Sequence, residues 1–94
     1  MEIKQTKNEK GGIFEAFDEN GKRAGEMTYV NSEKATFIID HTEVFPGNEG
    51  KGVGKQLVMA GVNYARENDF KIIPLCPFAK SLFEKIESIR DVLK

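Results

Sequence analysis

Three places in this sequence carry residue types that do chemistry. The first is the stretch Val44-Phe45-Pro46-Gly47-Asn48-Glu49-Gly50-Lys51-Gly52-Val53-Gly54-Lys55, where an apolar run passes through a glycine-rich turn into a long helical pattern. Such a turn leaves backbone N–H groups unpaired at the positive end of a helix dipole, and phosphate is the usual occupant of that position. Gly50, Gly52 and Gly54 let the backbone approach a bulky diphosphate, and Lys51 and Lys55 add charge beside it. The second place is Cys76, the only cysteine, followed at once by Pro77 at the expected start of a helix. A helix N-terminus favours the thiolate form of a cysteine. The third is His41, the only histidine, and the one side chain whose ordinary ionisation suits general-base work near neutrality.

Counting excludes two familiar phosphate loops. A Walker loop needs a glycine five residues before a Gly-Lys pair and a hydroxyl residue after it. Phe45 and Glu49 occupy those leading positions for Gly50-Lys51 and Gly54-Lys55, and neither pair is followed by Ser or Thr. A dinucleotide fingerprint needs a third glycine three residues past the second, where this chain has Lys55 or Leu57. On spacing alone, an anion site and a purely structural tight turn both stand.

The totals narrow the class of protein. At 94 residues the chain is expected to be one domain with one modest core. With 39% apolar and 31% charged residues it reads as a folded globular protein rather than a disordered one. Fourteen basic and fifteen acidic residues leave a net charge of −1 without a sustained basic patch, which argues against a nucleic-acid binder. No apolar run approaches membrane length and no signal-peptide pattern opens the chain, so a cytoplasmic protein with no membrane partner is expected. One Cys and one His cannot build a zinc site or an internal disulfide, and no metal is expected.

The elements that must position these groups follow from pattern. Glu2 to Thr6 reads as a strand, ended by Lys7 to Lys10 and Gly11-Gly12. Ile13 to Asp18 and Lys22 to Val30 flank Asn20-Gly21, the signal for a hairpin with a type I′ turn. After a turn at Asn31-Ser32-Glu33, Lys34 to Phe45 is a long strand. Val53, Leu57, Val58, Gly61, Val62, Tyr64 and Ala65 then recur at helical spacing until Asn68-Asp69 stops the helix. Lys71 to Leu75 is a short strand, and Cys76-Pro77 opens a second helix with Phe78, Leu82, Phe83, Ile86 and Ile89 as its buried stripe. A strand–helix–strand crossover puts the last strand parallel to the long one.

That order, with the glycine turn in that slot, resembles the GNAT superfamily of acyl-CoA-dependent N-acetyltransferases. Their central motif, Gln/Arg-x-x-Gly-x-Gly/Ala, lies between the fourth strand and the following helix. Glu49-Gly50-Lys51-Gly52-Val53-Gly54 matches both small positions and departs at the first, where Glu49 stands. The length, Glu43-Val44 and Cys76-Pro77-Phe78 resemble the very small YjdJ-like members more closely, over Phe14 to Lys85.

The resemblance implies a minimal α+β GNAT fold of about five mostly antiparallel strands, with two helices after the fourth strand. The last strand is parallel to the fourth and splayed from it. It implies acetyl-CoA as acyl donor, its pyrophosphate on the amides of Glu49 to Gly54 and its pantetheine running past Val44 and Phe45. The cofactor-binding set is then Val44, Phe45, Glu49, Gly50, Lys51, Gly52, Val53, Gly54 and Lys55. Only Lys7 to Gly12 fill the place of the two helices that usually wall the acceptor pocket. The C-terminal strands and the usual tyrosine acid are missing as well, which points to an open groove and an unusual amine acceptor.

In such a groove, Cys76 is either an acetyl-accepting nucleophile or the acid that protonates departing CoA, and His41 is the candidate base. Three readings follow: an N-acetyltransferase, a CoA-binding or sensing module without turnover, and a sheet-edge interaction domain that binds no cofactor. Exposed sheet edges are compatible with a monomer or a strand-paired dimer.

Overall fold

The computed structural model describes residues 1–94. Five strands pair in chain order: β1 (Glu2–Asn8), β2 (Gly11–Phe17), β3 (Arg23–Asn31), β4 (Thr36–Val44) and β5 (Lys71–Pro74). The first four are antiparallel, and β5 joins β4 in parallel. Helix α1 (Val53–Asn68) makes the β4-to-β5 crossover, and α2 (Pro77–Lys85) follows β5. A 3₁₀ turn over Glu87–Val92 leads to a tail where the Lys94 amide donates to Ile72 O at 2.9 Å, continuing the sheet beyond β5 by one bridge. No helix is long and apolar enough to cross a membrane.

The core lies on one face of this sheet. Phe14, Ala16, Met27, Tyr29, Phe37, Ile39 and Ile72 point into it from the strands. Val53, Leu57, Val58, Val62 and Ala65 meet them from α1, and Ala79 and Phe83 from α2. Full burial of each large aliphatic or aromatic side chain contributes about 1.5–3 kcal/mol, so this face is what holds α1 against the sheet. The other face carries Ile13, Glu15, Glu26, Thr28, His41 and Glu43, none of them buried.

Several local expectations change. The Asn20-Gly21 hairpin forms, but Gly21 alone has positive φ (79°), so the turn is not type I′. Gly21 N donates to Asp18 O, Asp18 N donates to Lys22 O, and Asp18 Oδ1 accepts from the amides of Asn20 and Lys22. A type I turn followed by a left-handed glycine results, because the aspartate side chain rewards that longer loop. Gly11 and Gly12 belong to β2 rather than to a turn, leaving Glu9-Lys10 to link β1 and β2. The helix read through Ile89 ends at Lys85, since Arg90 donates to the carbonyls of Phe83 and Glu84 and closes the helix there. Within α2, Ala79 and Phe83 are buried while Phe78 is 40% exposed.

One irregularity decides the face of every residue at the open end of β4. Tyr29 pairs with Ile39 and Thr28 with His41, so Asp40 is an extra residue, a β-bulge. Phe37 and Ile39 face the core before it. After it the alternation is shifted by one, and Thr42, opposite buried Met27, faces inward. His41, opposite Thr28, and Glu43, opposite Glu26, are turned to the uncovered face.

Candidate functional site

β4 and β5 are paired only from Thr36–Lys71 to Ile39–Pro74. The Ile39 carbonyl then accepts from the amides of both Leu75 (3.0 Å) and Cys76 (3.1 Å), and β4 runs on to Val44 without a partner on that side. Proline at 74 cannot donate to a ladder, and Cys76-Pro77 turns the chain directly into α2. The strands therefore splay, as the resemblance implies, and do so from Ile39 onward.

The glycine turn borders the mouth of this splay. Gly50 (φ 79°) and Gly52 (φ 72°) lie in the left-handed region, and a Cβ built on either meets nothing within 4 Å. Helix α1 starts at Gly52 without any side-chain cap, and its first hydrogen bond is Gln56 N to Gly52 O at 3.0 Å. No protein acceptor takes the amides of Glu49, Gly50, Lys51, Gly52, Val53, Gly54 or Lys55. Buried backbone donors are almost always paired, so a run of free ones at a helix start suits an anionic ligand or water. Glu49, the departure from the motif, is folded back, with a carboxylate oxygen accepting from Gly47 N at 2.9 Å. Its charge is thereby partly satisfied within the turn.

A groove of about 430 Å³ lies along this turn, lined by Val44, Asn48, Glu49, Gly50, Gly52, Val53, Gly54, Lys55, Phe78 and Leu82. That volume is ordinary for a small-molecule site. Seven of the nine expected binding residues line it. Phe45 and Lys51 do not: the Phe45 ring lies 5.0 Å from the Arg23 guanidinium carbon, and Lys51 is exposed. Asn48, Phe78 and Leu82 join the groove instead. The Phe78 ring rests over Gly54, where a Cβ would come within 2.5 Å of it, so Gly54 is needed for close packing rather than for its backbone angle. A second groove of about 420 Å³, between α2 and the tail, contains Arg90, but that guanidinium is spent on the α2 carbonyls.

Cys76 is 7% exposed and caps α2, its sulfur accepting from Ala79 N at 3.4 Å. The Thr42 hydroxyl lies 3.3 Å from the same sulfur, linking the diverging strands. His41 and Cys76 are not brought together. The bulge turns His41 to the opposite face, where Nε2 is 3.4 Å from Glu43 Oε1 and forms a cluster with Glu26. No local signal marks the bulge: the inward positions 37, 39, 42 and 44 break the period of two by one residue, but position 42 is a polar threonine and only the pairing with β3 reveals the shift. Thr42 is the site residue that strict alternation misses.

The profile of the GCN5-related N-acetyl-transferase family matches residues 13–92. The chain belongs to that family. The match supports acetyl transfer as the activity and an acyl-CoA as the donor, and carries the assignment to this level rather than to the smaller YjdJ-like grouping. Among solved structures, the GNAT fold is shared with a GCN5-like protein from Staphylococcus aureus determined in solution. The two are 42% identical, with a TM-score of 0.77 over 99% of this chain and 87% of that one. A ribosomal-protein-alanine N-acetyltransferase from Brucella melitensis is 19% identical, with a TM-score of 0.70 over 84% of this chain. This chain spans 64% of that enzyme, and the likeness there is one of fold. A comparison with curated proteins finds no match.

Proposed function

We propose that residues 1–94 form a single minimal acetyl-CoA-binding domain acting as an N-acetyltransferase, with Cys76 as a transient acetyl carrier. The observation that carries this reading is the run of free amides from Glu49 to Lys55 along a groove that opens at the splay. Those amides and Lys55 suit the pyrophosphate of coenzyme A, and the unpaired edge of β4 near Val44 suits the amide-bearing pantetheine arm. A cytoplasmic location, where acetyl-CoA is at hand, belongs to the same reading.

In the first step the Cys76 thiolate attacks the acetyl carbon. A new C–S bond forms, the bond to the CoA sulfur breaks, and the CoA thiolate takes up the proton the cysteine released. In the second, a neutral amine attacks acetyl-Cys76, the C–N bond forms, and the Cys76 thiolate leaves. The proton lost by the amine passes to the departing Cys76 sulfur, while the opposite, uncovered face with Glu26, His41 and Glu43 attracts the ammonium groups of an acceptor. The Glu9-Lys10 link between β1 and β2 leaves no helices over this face, so the acceptor is expected to be large or flexible.

A second reading, a CoA-binding module without turnover, is favoured by one fact. Cys76 is nearly buried and already has a structural task as the α2 cap. Intact-mass spectrometry after mixing with acetyl-CoA separates the two. Acetyl transfer through Cys76 predicts a single added acetyl group that Cys76→Ser abolishes. An unmodified wild-type protein that still binds CoA supports the module, and an adduct that survives in the serine variant moves the acceptor elsewhere.

A further inference from the structure

The bulge at Asp40 does more than remove His41 from the cysteine's side: it installs a hydroxyl there. Thr42 Oγ1 lies 3.3 Å from Cys76 Sγ, while Ala79 N–H approaches the same sulfur at 3.4 Å. No other group hydrogen-bonds the thiol. Asp40, His41 and Glu43 on β4 and Lys80 on α2, the charged or titratable residues flanking this contact in sequence, are all exposed, and none hydrogen-bonds the sulfur.

The Ala79 amide can only donate, and so favours a sulfur that accepts. A hydroxyl is ambivalent: it accepts from a thiol S–H and, after turning about its C–O bond, donates to a thiolate. Thr42 is thus able to keep a hydrogen bond to Cys76 in both protonation states and to hold the sulfur at one point between the splayed strands. With the threonine donating, the thiolate receives two donors in a nearly dry position, where such bonds are charge-assisted and strong.

We propose that Thr42 is a positioning residue for Cys76, stabilising and orienting its thiolate for attack on an acyl thioester. The proposal rests on Cys76 acting as the acetyl carrier, but its test does not need acetyl-CoA. Each alkylation step joins the Cys76 sulfur to the methylene carbon of iodoacetamide and releases iodide, so its rate counts thiolate. The rate is to be measured from pH 6 to pH 10 on wild-type protein, Thr42→Val and Thr42→Ser, with circular dichroism to verify the fold of each.

Thr42→Val, nearly isosteric and suited to a strand, is expected to react about tenfold more slowly at pH 7, the loss expected for one hydrogen bond to a charged group. The curves should converge near pH 10, and Thr42→Ser should follow the wild type. Superimposed wild-type and valine curves overturn the proposal. So does a valine deficit that is equal at every pH, because that would report altered access instead of a lost donor. So does a serine variant that behaves like valine. If wild-type protein forms no acetyl-Cys76 while the alkylation curves separate as expected, the carrier reading fails and the Thr42–Cys76 coupling stands.

Discussion

The two ends of the sheet use glycine in opposite ways. At the closed end, Gly11 and Gly12 pair with Val30 and Tyr29, and a Cβ on Gly11 would lie 2.1 Å from the Tyr29 carbonyl oxygen. A Cβ on Gly12 would lie 2.5 Å from Thr6 O and 2.7 Å from the Tyr29 hydroxyl. Protein atoms occupy the position each Cβ would take, although a groove of about 490 Å³ runs past these two glycines. Tyr29 sits there among Phe14, Phe37 and Tyr64, ring centroids 4.9 to 6.0 Å apart, with its hydroxyl accepting from Gln5 Nε2 at 2.8 Å. Burial pushes the ionisation of this tyrosine up, which keeps it neutral. At the open end, Gly50 and Gly52 have nothing beside them and a run of unpaired amides around them. Glycine at the closed end is required by what is packed there and, at Gly11 (φ 155°), by backbone angle as well. At the other it is required by backbone angle, and the room it leaves is free for a ligand.

The largest expected effect is at the closed end. Gly12→Ala must displace Tyr29 or strand β1, and a loss on the order of 3 kcal/mol or more is expected from urea denaturation. Wild-type stability in this variant would remove the contrast. Gly52→Ala meets no neighbour and bears only the strain of an L residue at positive φ, about 1 kcal/mol by the same measurement. A cost as large as that of Gly12→Ala would mean that the open turn is packed after all.

The smallest effect belongs to the surface pair between the C-terminal turn of α1 and the tail. Arg66 donates to both carboxylate oxygens of Asp91 at 2.8 and 3.0 Å, which holds the Asp91 carboxyl below its usual range and raises the guanidinium. A depressed carboxylate stabilises the fold above the unfolded value and loses that contribution as pH falls through the folded one. Both groups are exposed, so solvent screens the pair. Asp91→Asn is expected to lower the melting temperature slightly at pH 7 and to match the wild type in strong acid. A difference that persists there would assign the effect to hydrogen bonding rather than charge.

Most of the fold was legible because its signals are periodic. Alternation in β2 and β3, helical spacing from Val53 to Ala65, and the Cys76-Pro77 start of α2 each survive in the structure. The glycine turn was legible because no side-chain cap is available ahead of α1. Single-residue events were not. The Asp40 bulge, the left-handed Ala35 before β4, and the Arg90 side chain that ends α2 depend on tertiary pairing, which no local pattern encodes. The bulge had the widest consequence, exchanging His41 for Thr42 beside the cysteine.

The open-end account is tested most directly by titrating ¹⁵N-labelled protein with coenzyme A and following backbone amide shifts. The account predicts that the largest changes fall on Glu49 through Lys55, with little change at Gly11 and Gly12. Binding that moves other amides and leaves those seven in place would contradict it.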